Sequence, residues 1–324
     1  MGKPIRGYRG RLAPSPTGSQ HVGNARTFLL AWLQCRANEG ELILRIEDLD
    51  TPRTKEGADR QAVEDLKWLG LDWDSVAPLQ SARVDRYEEI LGDLKSRELV
   101  YPCTCSRSAI ELSSSAPHES VLDGSVYPGT CSTRSVVEAK SLDAKLQRYS
   151  WRFRISDEPM DWEDDFRGPQ KLEAKRFLGD FVVGRNYGPI AYQLAVVIDD
   201  HDQGITHVVR GDDLIYSTYR QLSIYEVLGW SAPGWCHVPL VVGIDGKRLA
   251  KRHGDTRLSH LRDKGIAPEA LLGSISQSLK LTVEDSPVSA NDLLQIVKRD
   301  PGWLHRVPAE PWSLPKKKIG RAHV

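Results

Sequence analysis

No run among the 324 residues is apolar for long enough to cross a membrane, and the opening "MGKPIRGYRG" lacks the apolar segment of a secretory signal. Neither sign of charge is in excess, with Lys plus Arg and Asp plus Glu at 44 each. Whole-chain charge therefore neither demands nor excludes a nucleic acid partner, and any RNA contact has to come from a local basic patch. Internal repeats and long low-complexity segments are also missing. Cysteine is scarce and odd in number: Cys35, Cys103, Cys105, Cys131 and Cys236. In a chain without a secretory signal, that count argues against a disulfide framework. These absences together predict a cytoplasmic protein with no membrane partner.

What is present is an ordinary globular composition, 40% hydrophobic and 27% charged, over a length that suits about two domains. "YRGRLA" alternates before Pro14, as a short strand entering a loop would. Ala25, Phe28, Leu29, Trp32 and Leu33 then recur at helical spacing, and Gly40 sits where a helix would stop. "ELILRIE" reads as a buried strand, and residues 55–69 as a helix with Ala62, Val63, Leu66 and Leu69 on one face. Strand, helix, strand, helix predicts an α/β fold with a parallel sheet and right-handed crossovers. Further on, "AYQLAVVIDD" and "THVVRGDDL" are strand-like runs, residues 213–228 have a helical pattern, and "LSHLRDKGIAPEALLGSISQSL" and "SANDLLQIVK" read as helices. Residues 101–189, rich in Ser, Pro and Gly, read as an insertion.

The loop "RLAPSPTGSQHVGNAR" leads straight into the first helical pattern. A helix N-terminus presents unpaired N–H groups and the positive end of the helix dipole, so it forms an anion site, and His21 adds a donor for a phosphate. At the carboxyl end of the first strand, such a loop is placed where parallel α/β sheets bind nucleotides. A second motif, "DGKRLAKRHG", carries Lys247, Arg248, Lys251 and Arg252 between glycines. A charge run by itself is usually a solvated face.

Taken together, the two motifs resemble the HIGH and KMSKS signatures of class I aminoacyl-tRNA synthetases. The match is closest to the glutamyl group, in which "APSPTG..H.G.AR", "RIEDLD" and "KRLAKRHGD" follow one another on one Rossmann-like domain. The resemblance reaches to about Pro315. It implies a class I Rossmann-like parallel sheet with a zinc-bearing insertion and a C-terminal helical region. The expected division is residues 1–100 and 190–256 for the two halves of the catalytic domain, 101–189 for the insertion and 257–315 for the helical region.

The resemblance implies that His21 and Lys251 are catalytic and that His21, Gly23 and Lys251 bind ATP, with Mg²⁺ accompanying its phosphates. It places glutamate on Arg11, Leu12, Ala13, Pro14, Ser15, Glu47, Tyr192 and Arg210. Charge supports that set, since two arginines and one carboxylate complement the two carboxylates and one ammonium of glutamate. Two positions depart from the signatures. Asn24 stands where the first motif would end in a second histidine, and Arg248 and Ala250 replace the first lysine and the serine of the second.

The remaining constellation is cysteine. "CTC" sets Cys103 and Cys105 too close for an ordinary mutual disulfide but suitably for two ligands on one structural Zn²⁺, with Cys131 downstream in "YPGTC". The candidates for the fourth ligand are Tyr127 and His118, and ordinary coordination chemistry favours His118. "YPCTCSR…APH…YPGTC" resembles the queuosine-modifying branch of the same family, and that resemblance selects Cys103, Cys105, Tyr127 and Cys131. The same branch implies a monomer that activates glutamate without tRNA and transfers it to queuosine in the anticodon of tRNA(Asp). The alternatives are an ordinary glutamyl-tRNA synthetase cut short at its C-terminus and a catalytically silent tRNA-binding paralogue. The C-terminal "KIGRAHV" is one reading frame of a common sequencing adapter, so residues 316–324 are expected to be a read-through artefact.

Overall fold

The computed structural model of the chain describes residues 7–16, 19–49, 54, 56–113, 124–243, 245–247, 249 and 256–314. Lys251 with Arg248, Ala250 and Arg252, the alternative ligand His118, and the suspected artefact at 316–324 lie outside the described residues.

Strand β1 (Arg9–Leu12) is joined through α1 (Val22–Ala37) to β2 (Glu41–Leu44), and α2 (Ala58–Trp68) carries the chain to β3 (Ser75–Val76) beyond it. The three strands are parallel, in register from Arg9 opposite Glu41 to Leu12 opposite Leu44. After α3 (Val84–Ser96) come β4 (Val100–Cys103), α4 (Arg107–Ser113), α5 (Glu138–Ala144), β5 (Ser150–Phe153), β6 (Met160–Asp164), β7 (Gly168–Leu172), α6 (Ala174–Leu178) and β8 (Phe181–Arg185). Of these, β4, β5 and β8 form an antiparallel sheet, while β6 and β7 make an antiparallel hairpin. Then α7 (Tyr192–Asp202), β9 (His207–Gly211), α8 (Ile215–Leu228) and β10 (Gly234–Val238) complete a second crossover unit, with β9 and β10 parallel. The chain ends in β11 (Val241–Val242), α9 (Leu258–Asp263), α10 (Pro268–Ser278), α11 (Ala290–Lys298) and β12 (Trp312–Ser313), which pairs with β11.

The two parallel units meet at β1 and β9, where the Thr206 N–H donates to Arg9 O at 2.9 Å. The strand order is thus β3-β2-β1 followed by β9-β10-β6, so the chain moves outward in opposite directions from the β1/β9 seam. Crevices of this kind, at the carboxyl ends of strands where the order reverses, are where open α/β sheets take ligands. The stretch expected as an insertion also contributes to this sheet, because β6 runs parallel to β10.

Alternating residues of the strands feed separate cores on the two faces. Leu42, Leu44, Val209 and Cys236 pack with α1, α10 and α11, whereas Ile43, Val208 and Trp235 pack with α3, α7 and α8. Cys35 and Cys236 are buried packing residues, and the Cys236 sulfur accepts from Gln34 Nε2 at 3.3 Å.

One expectation is corrected. "AYQLAVVIDD" is the helix α7, not a strand. Leu194 through Asp200 are all buried, so this stretch is covered around its whole circumference and lacks the one-sided stripe that marks a surface helix. A short apolar run rich in valine cannot be told from a buried strand by periodicity.

Candidate functional site

Residues Ala13 to Ser15 leave β1 in extended backbone alongside the continuation of β2. The Arg45 N–H donates to Leu12 O at 2.9 Å and the Glu47 N–H to Pro14 O at 3.1 Å, which brings Glu47 opposite the loop. The chain then enters α1 with His21 as its N-cap. Asn24 N–H donates to His21 Nδ1 at 3.3 Å, and His21 N–H donates to Asn24 Oδ1 at 3.1 Å. The departure at Asn24 thus has a structural consequence: residues 21 and 24 form a reciprocal capping box. Because Nδ1 accepts, the neutral ring carries its proton on Nε2. Burial holds the His21 pKa below its ordinary value and keeps the ring neutral. Gly23 makes this possible, since a Cβ there would stand 2.9 Å from His21 Cε1.

These elements enclose a cavity of roughly 900 Å³ at the β1/β9 seam. Arg11, Ala13, Pro14, Ser15, Glu47, Tyr192 and Arg210 line it together with His21 and Gly23. Leu12 is not among the lining residues, and its side chain is fully buried in the core. Thr27, Phe28, Ala31, Leu240, Val241 and Leu249 form a less polar end of the same space.

The charges on the wall are held by further buried charges. Arg11 donates from NH1 to Val209 O at 3.1 Å, and its Nε stands 3.7 Å from Asp200 Oδ1. Arg45, with a side chain 0% exposed, reaches Asp200 Oδ1 at 2.6 Å and Glu47 Oε1 at 3.1 Å. Burial raises the Glu47 pKa, and Arg45 and Arg11 oppose that shift. Arg210 donates from Nε to His237 Nε2 at 3.0 Å and from NH2 to Thr218 Oγ1 at 2.7 Å. Its pKa is lowered by burial, against the pull of Tyr192. His237 in turn meets Asp164 Oδ2 through Nδ1 at 2.6 Å.

Arg45, Asp200, Asp164 and His237 were not singled out by sequence reasoning. A signal was available for Arg45, Asp200 and His237, polar residues within or at the end of an apolar run ("LILRIE", "AVVIDD", "WCHVPL"), but not for Asp164, which stands in the acidic "DWEDD". Burying such a group is costly unless it is partnered.

The second cluster lies where β4 ends. The sulfurs of Cys103, Cys105 and Cys131 all fall within 4.8 Å of one another, with Cys105 and Cys131 3.7 Å apart. The Tyr127 hydroxyl stands 3.4 Å from Cys103 Sγ and 3.9 Å from Cys105 Sγ, and it accepts the Cys131 N–H at 2.7 Å. A tetrahedral Zn²⁺ with ordinary bond lengths spaces two sulfurs about 3.8 Å apart and a sulfur and an oxygen about 3.5 Å apart. The donor set therefore has the dimensions of one tetrahedral metal site. The Arg152 guanidinium covers the Tyr127 ring at 3.9 Å from its centroid.

Comparison with known proteins decides what kind of molecule carries this cavity. The profile of the family described as tRNA synthetases class I (E and Q), catalytic domain, matches residues 8–286. The chain belongs to the class I tRNA synthetases of the E and Q family. Like its relatives, this synthetase is a ligase. It is 48% identical to the Glutamyl-Q tRNA(Asp) synthetase of Rhodopirellula baltica over 88% of this chain and 89% of that protein. With the Glutamyl-Q tRNA(Asp) synthetase of Symbiobacterium thermophilum it shares 42% over 96% and 97% of the two lengths. It is also 42% identical to Glutamate–tRNA ligase 2 of Syntrophus aciditrophicus, across 83% of this chain but 56% of that one. Among solved structures, glutamate-tRNA synthetase from Elizabethkingia anophelis superposes with a TM-score of 0.78 at 27% identity, over 94% of this synthetase and 68% of that chain. No described helix of the synthetase is long and apolar enough to cross a membrane.

Proposed function

We propose that this synthetase activates glutamate with ATP, without needing tRNA, and transfers it to queuosine in the anticodon of tRNA(Asp). The observation that carries the first half is the charge pattern of the cavity at the β1/β9 seam. Arg11 and Arg210 supply two guanidiniums, and Glu47 one carboxylate, around a space that also contains Ser15 and Tyr192. Glutamate presents the opposite pattern. In a buried site, an amino acid lacking the side-chain carboxylate would leave a guanidinium unpaired, which is how such sites reject near-isosteres.

In the activation step, the α-carboxylate oxygen of glutamate bonds to the α-phosphorus of ATP, and the bond from that phosphorus to the bridging oxygen of pyrophosphate breaks. Positioning and fixed positive potential carry such a transfer. At the start of α1 the Val22 N–H is taken by Thr256 O and the Asn24 N–H by His21 Nδ1, so the Gly23 N–H and His21 Nε2–H would serve the phosphates. Lys251 would approach as a cation from the second motif, and Mg²⁺ would accompany the phosphates. No covalent nucleophile from the protein is required.

Cys103, Cys105, Tyr127 and Cys131 would hold one structural Zn²⁺, whose dimensions they fit and which would tie β4 to the segment carrying Tyr127. Support for queuosine as acceptor comes from the two long-range relatives named Glutamyl-Q tRNA(Asp) synthetase. The similarity to a glutamate–tRNA ligase favours a second reading, transfer to the 3′ end of tRNA(Glu). Activation is tested by exchange of labelled pyrophosphate into ATP in the absence of tRNA. Exchange that depends on glutamate and is not supported by norvaline is expected. Exchange that appears only when tRNA is added would count against tRNA-independent activation.

A further inference from the structure

The cavity wall leaves one buried arrangement without a role. Asp164, His237 and Arg210 come from three adjacent strands, β6, β10 and β9. In the parallel ladder of β9 and β10, His237 lies directly opposite Arg210, and β6 places Asp164 beside them. The side chains of Asp164 and His237 are both 0% exposed, so neither touches solvent or substrate.

Resting on the glutamate-activating reading, we propose that Asp164 and His237 are positioning residues: they fix the imidazole tautomer whose bare Nε2 locks the Arg210 guanidinium toward a substrate carboxylate. The hydrogen bonds leave little choice. Asp164 Oδ1 accepts the N–H groups of Phe166 at 3.0 Å and Arg167 at 2.7 Å, and the carboxylate also meets the His237 N–H at 3.1 Å. A carboxylate saturated with donors remains ionised, and hydrogen bonds from His237 and from backbone outweigh burial in lowering its pKa. It therefore accepts a hydrogen bond from His237 Nδ1–H, and the proton stays on Nδ1. In a neutral imidazole the other nitrogen is then an acceptor, and Arg210 Nε–H donates to it.

Thr218 Oγ1 and Leu214 O hold NH2, so Nε and NH2 are fixed by protein, and the guanidinium interacts with Tyr192 at the wall of the cavity that both residues line. An imidazolium, or the opposite tautomer, would set N–H against N–H at this contact. An arginine side chain otherwise carries much rotamer freedom, and freezing it beforehand lowers the cost of binding. The logic is that of a carboxylate holding a catalytic imidazole in one tautomer, moved one step further from the substrate.

The test uses the full chain and three substitutions. Asp164→Asn keeps an oxygen for the backbone donors but presents an amide N–H to Nδ1, which drives His237 to the wrong tautomer. His237→Asn can still meet Asp164 but is too short for Arg210, whereas His237→Gln reaches Arg210 with an acceptor. In pyrophosphate exchange, Asp164→Asn and His237→Asn should raise the KM for glutamate about 10–100-fold, the range for an unpaired buried donor. The KM for ATP should stay put, and His237→Gln should recover most of the loss. Equal damage by all three variants to both substrates would mean a structural role and would overturn the proposal.

The second readout is independent of activity: ¹⁵N-edited NMR of the His237 ring. A proton on Nδ1 and a bare Nε2 in the wild type, reversed in Asp164→Asn, supports the proposal. A wild-type proton on Nε2 refutes it. A wild type without glutamate-dependent exchange would remove the functional reading, and the ring spectrum would still decide this one.

Discussion

Replacing Arg45 with methionine should damage stability and glutamate binding together. The Arg45 side chain is 0% exposed and bridges Asp200 at 2.6 Å and Glu47 at 3.1 Å, whose own side chains are only 6% and 10% exposed. Methionine fills much of the volume, so the loss is chiefly electrostatic. Removing one partner of a buried ion pair costs about 3–5 kcal/mol, because the remaining charge is stranded in a poor solvent. Here two carboxylates are stranded, though Arg11 still stands 3.7 Å from Asp200, which places the estimate near the lower end.

The deficit has a pH signature. Burial already raises the Glu47 pKa in the intact protein, with Arg45 as the leading opposing charge. Without Arg45 the native state holds its protons to higher pH than the unfolded chain does. Its stability therefore falls as pH rises above the unfolded carboxylate pKa of about 4.3. Urea midpoints of wild type and variant from pH 5 to 8 should diverge as pH rises, and the KM for glutamate should rise because a protonated Glu47 cannot pair with an ammonium. A deficit below about 1 kcal/mol that is flat with pH would refute the claim that Arg45 neutralises this pair.

Gly23→Ala should leave the unfolding free energy from urea titration within about 1 kcal/mol of wild type, since alanine favours the helix. Its Cβ would push the His21 ring, 2.9 Å away, and slow pyrophosphate exchange on the order of a hundredfold. Elemental analysis of natively purified protein should find close to one zinc per chain, and Cys105→Ser should lose it and make residues 101–189 more sensitive to limited proteolysis. Protein with no zinc would contradict the metal assignment. Burial lowers the His237 pKa to about 4, between Asp164, Arg210 and Asp212. Its unfolded form takes up a proton near pH 6.5 that the native form refuses. The stability contribution is thus complete above that pH and lost as pH falls toward 4. The stability difference between wild type and His237→Gln should shrink by about 3 kcal/mol across that window.

The parts of the fold that could be read from sequence are those with one-sided patterns or capping chemistry. The first strand and the C-terminal helices carry such signals, while α1, itself buried on nearly every side, shows through its length and the glycine that follows it. The helix Tyr192–Asp202 does not, because burial on every side erased its periodicity. At the site, resemblance named residues that line the cavity, but it named them singly. What organises them is a buried layer: Arg45 after β2 meets Asp200 of α7, and Asp164 meets His237 where β6, β9 and β10 lie side by side. Arg45, Asp200 and His237 leave a trace as polar residues in apolar runs that need a partner the sequence does not name, and Asp164 leaves none. The same holds for the cysteines, since "CTC" sets two thiols side by side while the 2.7 Å hydrogen bond that orients the Tyr127 hydroxyl is a product of folding.

The most direct test of the account is transfer of labelled glutamate. The enzyme is incubated with ATP, labelled glutamate and, separately, tRNA(Asp) containing queuosine, the same tRNA without it, and tRNA(Glu). The account predicts label on the queuosine-bearing tRNA(Asp) alone, located in its anticodon fragment after nuclease digestion. Label on the 3′ end of tRNA(Glu), or on tRNA(Asp) lacking queuosine, would contradict it.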